Sequence, residues 1–239
     1  YAQRWHRWVR GDWQLSPWLF NRVLGPDGTR LRNRLSIFDR LRIWDTMRRS
    51  LVPPSVVVLL VAGWFWLPGS PLVWTAFALL IPGAWLFTDL VTGLARGRRR
   101  GVLPDGLQGF FTHLGRWLLQ VTFLVSDAVT ALHAISLTLL RLNGQRRLLE
   151  WTSAAHAGRK FAMQAVRSGQ WRATWPSSVI AILLLSGVVF SADPALSALP
   201  ILCLWLTAPE IAVWAGRRRE NTIVPFTTDE RMFLRQIAR

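Results

Sequence analysis

Lysine and cysteine are almost missing from this 239-residue sequence; Lys160 and Cys203 are the single examples of each. A lone cysteine excludes an intramolecular disulfide and a paired-thiol metal site, and within an apolar run it serves as a small packing residue. The four histidines, His6, His113, His133 and His156, form neither HxxxH nor HExxH spacing, so no helical metal site is expected. No GxSxG, Walker-type or GxGxxG string occurs. Acids are scarce as well, with 13 Asp and Glu against 29 Lys and Arg, for a formal charge of +16. Charged residues still make up only 18% of the chain, against 51% hydrophobic, which is too apolar for a disordered or purely nucleic-acid-binding protein. The arginines flank apolar blocks instead of filling a separate domain, a pattern that favours a lipid bilayer as partner and no nucleic acid.

What the sequence does have is long apolar runs. Leu51–Ala95 contains one charge, Asp89. A spanning helix takes about 20 apolar residues, so two fit here, Leu51–Leu67 and Leu72–Leu94. Pro68-Gly69-Ser70-Pro71 parts them, and Trp64, Trp66 and Trp74 bracket the turn as interfacial aromatics do. A second pair follows near the end. Ala173–Ala192 is uncharged, Ser191-Ala192-Asp193-Pro194 turns, and Ala195–Ala215 returns with one charge, Glu210. Glu210 and Asp89 are suspects because acids in a span are costly, but each stands close to a basic flank, at Arg217 and Arg96.

Two stretches read as helices lying on the bilayer. After the turn cluster Gly25-Pro26-Asp27-Gly28, residues Leu31, Leu35, Phe38, Leu41 and Trp44 recur at helical spacing among arginines, which predicts a basic interfacial helix; a soluble helix packed on a domain is the alternative. Gly106–Thr174 carries a stripe of Leu118, Val121, Val125, Val129, Leu132, Ile135 and Leu139, with His113, Arg116, Asp127, His133 and Arg141 scattered through it. The spread of charge predicts interfacial helices there, with two further short spans as the alternative. Arg30–Arg49, Arg96–Arg100, Arg141–Arg172 and Arg217–Arg219 then share the cytoplasmic side, while the turns between spans carry no basic residue. The expected fold is an all-α membrane protein with four transmembrane helices in two hairpins plus cytoplasmic interfacial amphipathic helices, both termini cytoplasmic.

The opening RWHRWVRGDWQL, Arg4 to Leu15, concentrates chemistry. Guanidinium groups at Arg4, Arg7 and Arg10 suit phosphate oxygens, which they grip at two points. Indole faces at Trp5, Trp8 and Trp13 suit the apolar faces of sugar rings, and Asp12 either accepts from sugar hydroxyls or pairs with Arg10. Membrane anchoring is the other use of such a stretch.

Arg4-x-x-Arg7-Trp8 resembles the Q/RxxRW motif of membrane-bound, processive inverting glycosyltransferases such as cellulose and chitin synthases. The longer string HRWVRGDWQL, with RRLLEWTSAA at Arg146–Ala155 and TTDERMFLRQIAR at Thr227–Arg239, resembles the cyclic β-1,2-glucan synthases. That resemblance implies a UDP-glucose-dependent polymerase of the bacterial inner membrane, with the growing glucan chain as second partner. It implies substrate-binding roles for Arg4, Arg7 and Trp8, the arginines on pyrophosphate and Trp8 under the acceptor glucose; Arg10, Asp12 and Trp13 complete the candidate set. No DxD string occurs, so no catalytic or metal-ligating residue is assigned. The divalent metal (Mg or Mn) that the resemblance implies falls to a catalytic domain upstream. The expected division is 1–29 as the end of a glycosyltransferase domain, 30–50 as the interfacial helix, 51–95 and 173–216 as hairpins, 96–172 as the interfacial region, and 217–239 as a linker to a downstream module. With no initiator methionine, no apolar signal core and a last string that ends in mid-helix, the sequence is expected to be a piece of a longer polypeptide and inactive alone. An anchor or scaffold, or a transporter subunit, is the competing function.

Overall fold

The computed structural model describes residues 2–25, 28–100, 104–144, 166–191 and 195–216. Helices dominate them: α1 (Ala2–Gln14), α2 (Ile37–Arg49), α3 (Val52–Phe65), α4 (Pro71–Arg100), α5 (Pro104–Gly144), α6 (Val166–Val189) and α7 (Leu199–Ala215). A two-stranded antiparallel hairpin, β1 (Arg22–Leu24) with β2 (Arg30–Arg32), departs from the all-α expectation. Gly28, at φ 72°, helps turn the chain between the strands.

The hairpin also corrects the first interfacial helix. Residues 30–32 are a strand, and the helix begins only at Ile37. Ser36 starts it. Its hydroxyl accepts from the Asp39 backbone N–H while the Asp39 carboxylate accepts from the Ser36 backbone N–H, a reciprocal cap. The Ser36 hydroxyl also donates to the Asp39 carboxylate at 2.7 Å, and this bond first, then that from the Ser36 backbone N–H, holds the carboxyl below its ordinary pKa. Of the expected apolar stripe, Phe38, Leu41 and Trp44 are exposed on α2 and Leu35 is half-buried ahead of it.

Of the middle segment expected to lie in the interface, residues 145–165 lie outside the described ones; residues 104–144 form one continuous 41-residue helix, α5. Its stretch Phe111–Gly144 is long and apolar enough to cross a membrane, as are Gly169–Val189 and Leu196–Ala215, and the pair α2 and α3, bent by 51°, makes a fourth when taken as one span. The chain is a multi-pass membrane protein. Between Arg116 and Arg141 only Asp127 is formally charged, which is what makes the α5 stretch apolar enough to qualify. At about 1.5 Å per residue α5 is about 60 Å long, roughly twice the hydrocarbon thickness, so its ends have polar surroundings available.

α5 packs against α1, α3, α4, α6 and α7. The core joins Val56, Leu60 and Trp64 of α3, Ala78 of α4, Leu124 and Val125 of α5, Ala181 and Val188 of α6, and Ile201, Leu202 and Trp205 of α7. Small residues (Ala128, Ala131, Ala134, Ala181, Ala208) are buried along these contacts, as close helix approach in membranes requires. Polar groups inside are matched: Trp205 Nε1 donates to the Val121 carbonyl at 2.9 Å, and the Ser126 and Ser177 hydroxyls lie 2.6 Å apart. Trp64, expected at the interface, is core, its indole N–H on Thr75 Oγ1 at 2.9 Å, whereas Trp66 is exposed.

The two links expected to share a side do meet. Gly187 lies against Phe65, and Thr75 Oγ1 stands 3.4 Å from Ser197 Oγ. Leu51 at the start of α3 belongs instead with Val9, Ala134 and Ile135, near the C-terminal end of α5. Arg96–Arg100 stand before one end of α5 and Arg141 near the other. The side chain of Asp89, and the strings Arg146–Ala155 and Thr227–Arg239, lie outside the described residues, as does the expected linker 217–239. Glu210 is exposed on α7.

Two tests follow from this packing. A side chain meets nothing within 4 Å at Gly109 or Gly144, so cysteines at these positions, in a Cys203→Ser background, should react with an impermeant thiol reagent from opposite sides. Reaction of both from one side would return α5 to the interface. At Gly63 a Cβ would collide with Trp74, so Gly63→Ala should cost about 1–3 kcal/mol and lower the melting temperature in detergent, while Gly109→Ala should not.

Candidate functional site

α1 carries the arginine and tryptophan motif, and its two faces differ. The inner face docks on α5. Val9 is fully buried with Ala134 and Ile135, and Trp5, Trp13 and Leu51 pack around them. Trp13 Nε1 donates to Ser50 Oγ at 2.8 Å, and Ser50 Oγ donates to the Met47 carbonyl at 2.6 Å. This ties α1 to the elbow between α2 and α3. Trp13, one of the candidate binding residues, is thereby an anchor.

The outer face presents Arg4 and Trp8. They are one helical turn apart, on the same side, and the Arg4 guanidinium carbon lies 5.3 Å from the centre of the Trp8 ring, a cation–π distance. Trp8 keeps 57% of its surface exposed. Arg7 is half-buried beside them. Gly11 continues this exposed side, with open space where a Cβ would stand. Beyond it Leu15, Trp18 and Phe20 are also exposed; Trp18 and Phe20 extend the aromatic surface past the motif.

Arg10 and Asp12 do not form the ion pair that was one of two expectations. Residues two apart point to opposite sides of a helix, whereas Asp45 does pair with Arg48 and Arg49, three and four residues on. Burial raises the Asp12 carboxyl above its ordinary range, and the Arg49 charge opposes that shift. Arg10 is half-buried, with Nε enclosed and unpartnered.

Sequence spacing gave no sign of a histidine pair across elements. His6 Nε2 lies 3.0 Å from His133 Nδ1, with ring centres 5.1 Å apart. Burial first, then the charges of His133, Arg10 and Arg141, lower the His6 pKa to about 4. Among the described residues no three His, Cys, Asp or Glu side chains come together to hold a metal ion.

With this geometry in view, the comparisons are informative. No family model matches the chain. It is 28% identical over 245 residues to the cyclic β-(1,2)-glucan synthase NdvB of Rhizobium meliloti (strain 1021). The likeness runs over 99% of this chain. It covers 8% of NdvB, so the chain spans only a small part of that protein's length. The two are related, distantly and over one segment.

The histidine pair yields a pH prediction. A folded-state pKa of about 4 lies below the unfolded value of 6.5, so the unfolded chain binds the extra proton. The stabilisation is complete above pH 6.5 and is lost as pH falls toward 4. Melting temperature should therefore drop between pH 7 and pH 5, and less so in His6→Gln. Equal drops in the two proteins would dismiss the pair as the cause.

Proposed function

We propose that this chain is the membrane region of a processive inverting glycosyltransferase that builds a β-glucan, cyclic β-1,2-glucan, from UDP-glucose in the bacterial inner membrane. The observation that carries this reading is the match to NdvB over 99% of the chain. The exposed face of α1 supports it. A large indole left half in solvent beside a guanidinium is an unfilled recognition surface, apolar enough for a sugar ring and cationic enough for phosphate. Arg4 and Arg7 would grip the pyrophosphate and Trp8 would stack under the acceptor glucose, with Arg10 and Asp12 behind them. A Mg or Mn ion belongs, on this reading, to a catalytic domain upstream.

The division of α1 explains how a cytoplasmic site would stay in register with the bundle. Val9, Trp13 and Ser50 fix the helix to α5 and to the α2–α3 elbow, so Trp8 is held at a constant height above the spans. Both termini are cytoplasmic on this reading, with the α3–α4 and α6–α7 links outside.

In the full polypeptide, Trp8→Ala should cut glucan synthesis at least about tenfold, the loss of roughly 1.4 kcal/mol, with normal expression and insertion. Arg7→Lys should raise the apparent KM for UDP-glucose more than that for acceptor, because an ammonium cannot reproduce a two-point grip. An anchoring role for the same residues predicts poor insertion with normal activity per inserted molecule. Normal polymer output from correctly inserted Trp8→Ala protein would remove the site from α1.

A further inference from the structure

Four arginines outside the motif converge on one recess. The β1–β2 hairpin, the loop after it and the first turn of α2 enclose about 960 Å³ lined by Asn21, Arg22, Arg32, Asn33, Arg34, Leu35 and Arg40. Its shape is fixed from behind by Asn33, which is 6% exposed. Asn33 Nδ2 donates to the carbonyls of Trp18 and Phe20 at 2.7 and 2.9 Å, and its Oδ1 accepts from the Leu35 N–H at 2.9 Å.

The charge in this recess has no internal answer. Arg22 and Arg32 are directly opposite in the hairpin register, where like charges repel at close range. No carboxylate pairs with Arg22, Arg32, Arg34 or Arg40 among the described residues. Arg40 donates to Asn21 Oδ1 at 2.6 Å, yet its Nε is enclosed and has no acceptor. A buried donor left open costs more than a hydrogen bond returns, so an oxyanion in the recess would complete both the charge balance and the hydrogen bonding.

The surroundings identify the anion's carrier. Ile37 and Phe38 are 74% and 79% exposed, and Leu41 and Trp44 continue that apolar face of α2. A second recess of about 490 Å³ runs along the same helix, with Phe38 and Leu41 on its apolar side and Arg42, Asp45, Thr46 and Arg49 on its polar side. Two residues after α2 ends, α3 begins the first apolar helix of the bundle. We infer that the recess between the β1–β2 hairpin and α2 binds the phosphodiester headgroup of an anionic phospholipid, whose acyl chains lie along the exposed Ile37–Trp44 face. A soluble phosphate would have no use for that face. The inference rests on the membrane reading of α3 and is independent of the sugar chemistry assigned to α1.

The test uses the full polypeptide extracted from bilayers of phosphatidylglycerol and phosphatidylcholine, with retained lipid counted by native mass spectrometry. Wild type should keep phosphatidylglycerol over phosphatidylcholine. Each arginine near an anionic leaflet contributes roughly fivefold in binding, so the R22Q/R32Q/R34Q protein should lose on the order of 100-fold. Arg34→Gln alone, outside both strands, should lose roughly fivefold with the hairpin intact. Trp8→Ala should retain lipid as wild type does, which separates this result from the fate of the sugar site. Equal retention by wild type and both cradle variants would overturn the inference. Displacement of the lipid by millimolar inorganic pyrophosphate, with retention indifferent to Phe38→Ser, would assign the recess to a soluble phosphate and overturn it too.

Discussion

Everything in this fold leans on α5. A backbone that enters lipid must satisfy its polar groups within its own helix, and a 41-residue helix does this while leaving its side chains free to pack on α1, α3, α4, α6 and α7. Alanines along it let neighbours approach, and the few polar side chains inside the bundle bond to one another or back to the helix. Thr122 and Thr138 donate to carbonyls four residues earlier, at Leu118 and Ala134. Pro176 in α6 and Pro209 in α7 lie inside continuous helices within the same region, each removing one backbone donor. Ser126 and Ser177 meet beside the first of these, and Ser178 reaches the Leu206 carbonyl near the second.

The same helix explains how a polar segment is held. α1 is too polar to bury itself, with a single fully buried side chain, Val9. It docks because Val9 finds Ala134 on α5 and because Trp13 finds a hydroxyl at Ser50. The anchoring residues alternate with the presented ones at helical period, so the docked face and the face carrying Arg4 and Trp8 are separate sides of one helix.

The parts of this architecture legible in the sequence are those set by local composition. The apolar runs before and after residues 68–71 and 191–194 are helices, and the residues next to the two links lie together at one end. The length of α5 is harder to read, because its charges are spread over the whole segment while Asp127 stands alone within the window that a bilayer samples. The hairpin was hidden because Leu31 and Leu35 fit a helical stripe that the Ser36–Asp39 cap begins only later. Tertiary pairs had no local signal at all: His6 with His133, Trp13 with Ser50, and Arg22 opposite Arg32 are long-range or cross-strand contacts that spacing rules do not reach.

The arginines can now be sorted by what answers them. Asp45 answers Arg48 and Arg49, and those guanidinium groups in turn keep its carboxyl ionised below the usual range. Asp39 is engaged in capping α2. Arg4 lies against an indole, and the cradle arginines face one another. Such crowding lowers the stability of the empty protein, because repulsion in a shallow recess is only partly screened within a Debye length of about 8 Å. A surface that carries this cost is explained by anions supplied from outside the chain. Two kinds fit the two places: a sugar-linked diphosphate at α1, where the neighbour is a flat aromatic face, and a lipid headgroup at the hairpin, where the neighbour is an open apolar helix. The apolar partner beside each cluster decides which anion it suits, since the guanidinium groups alone are the same at both.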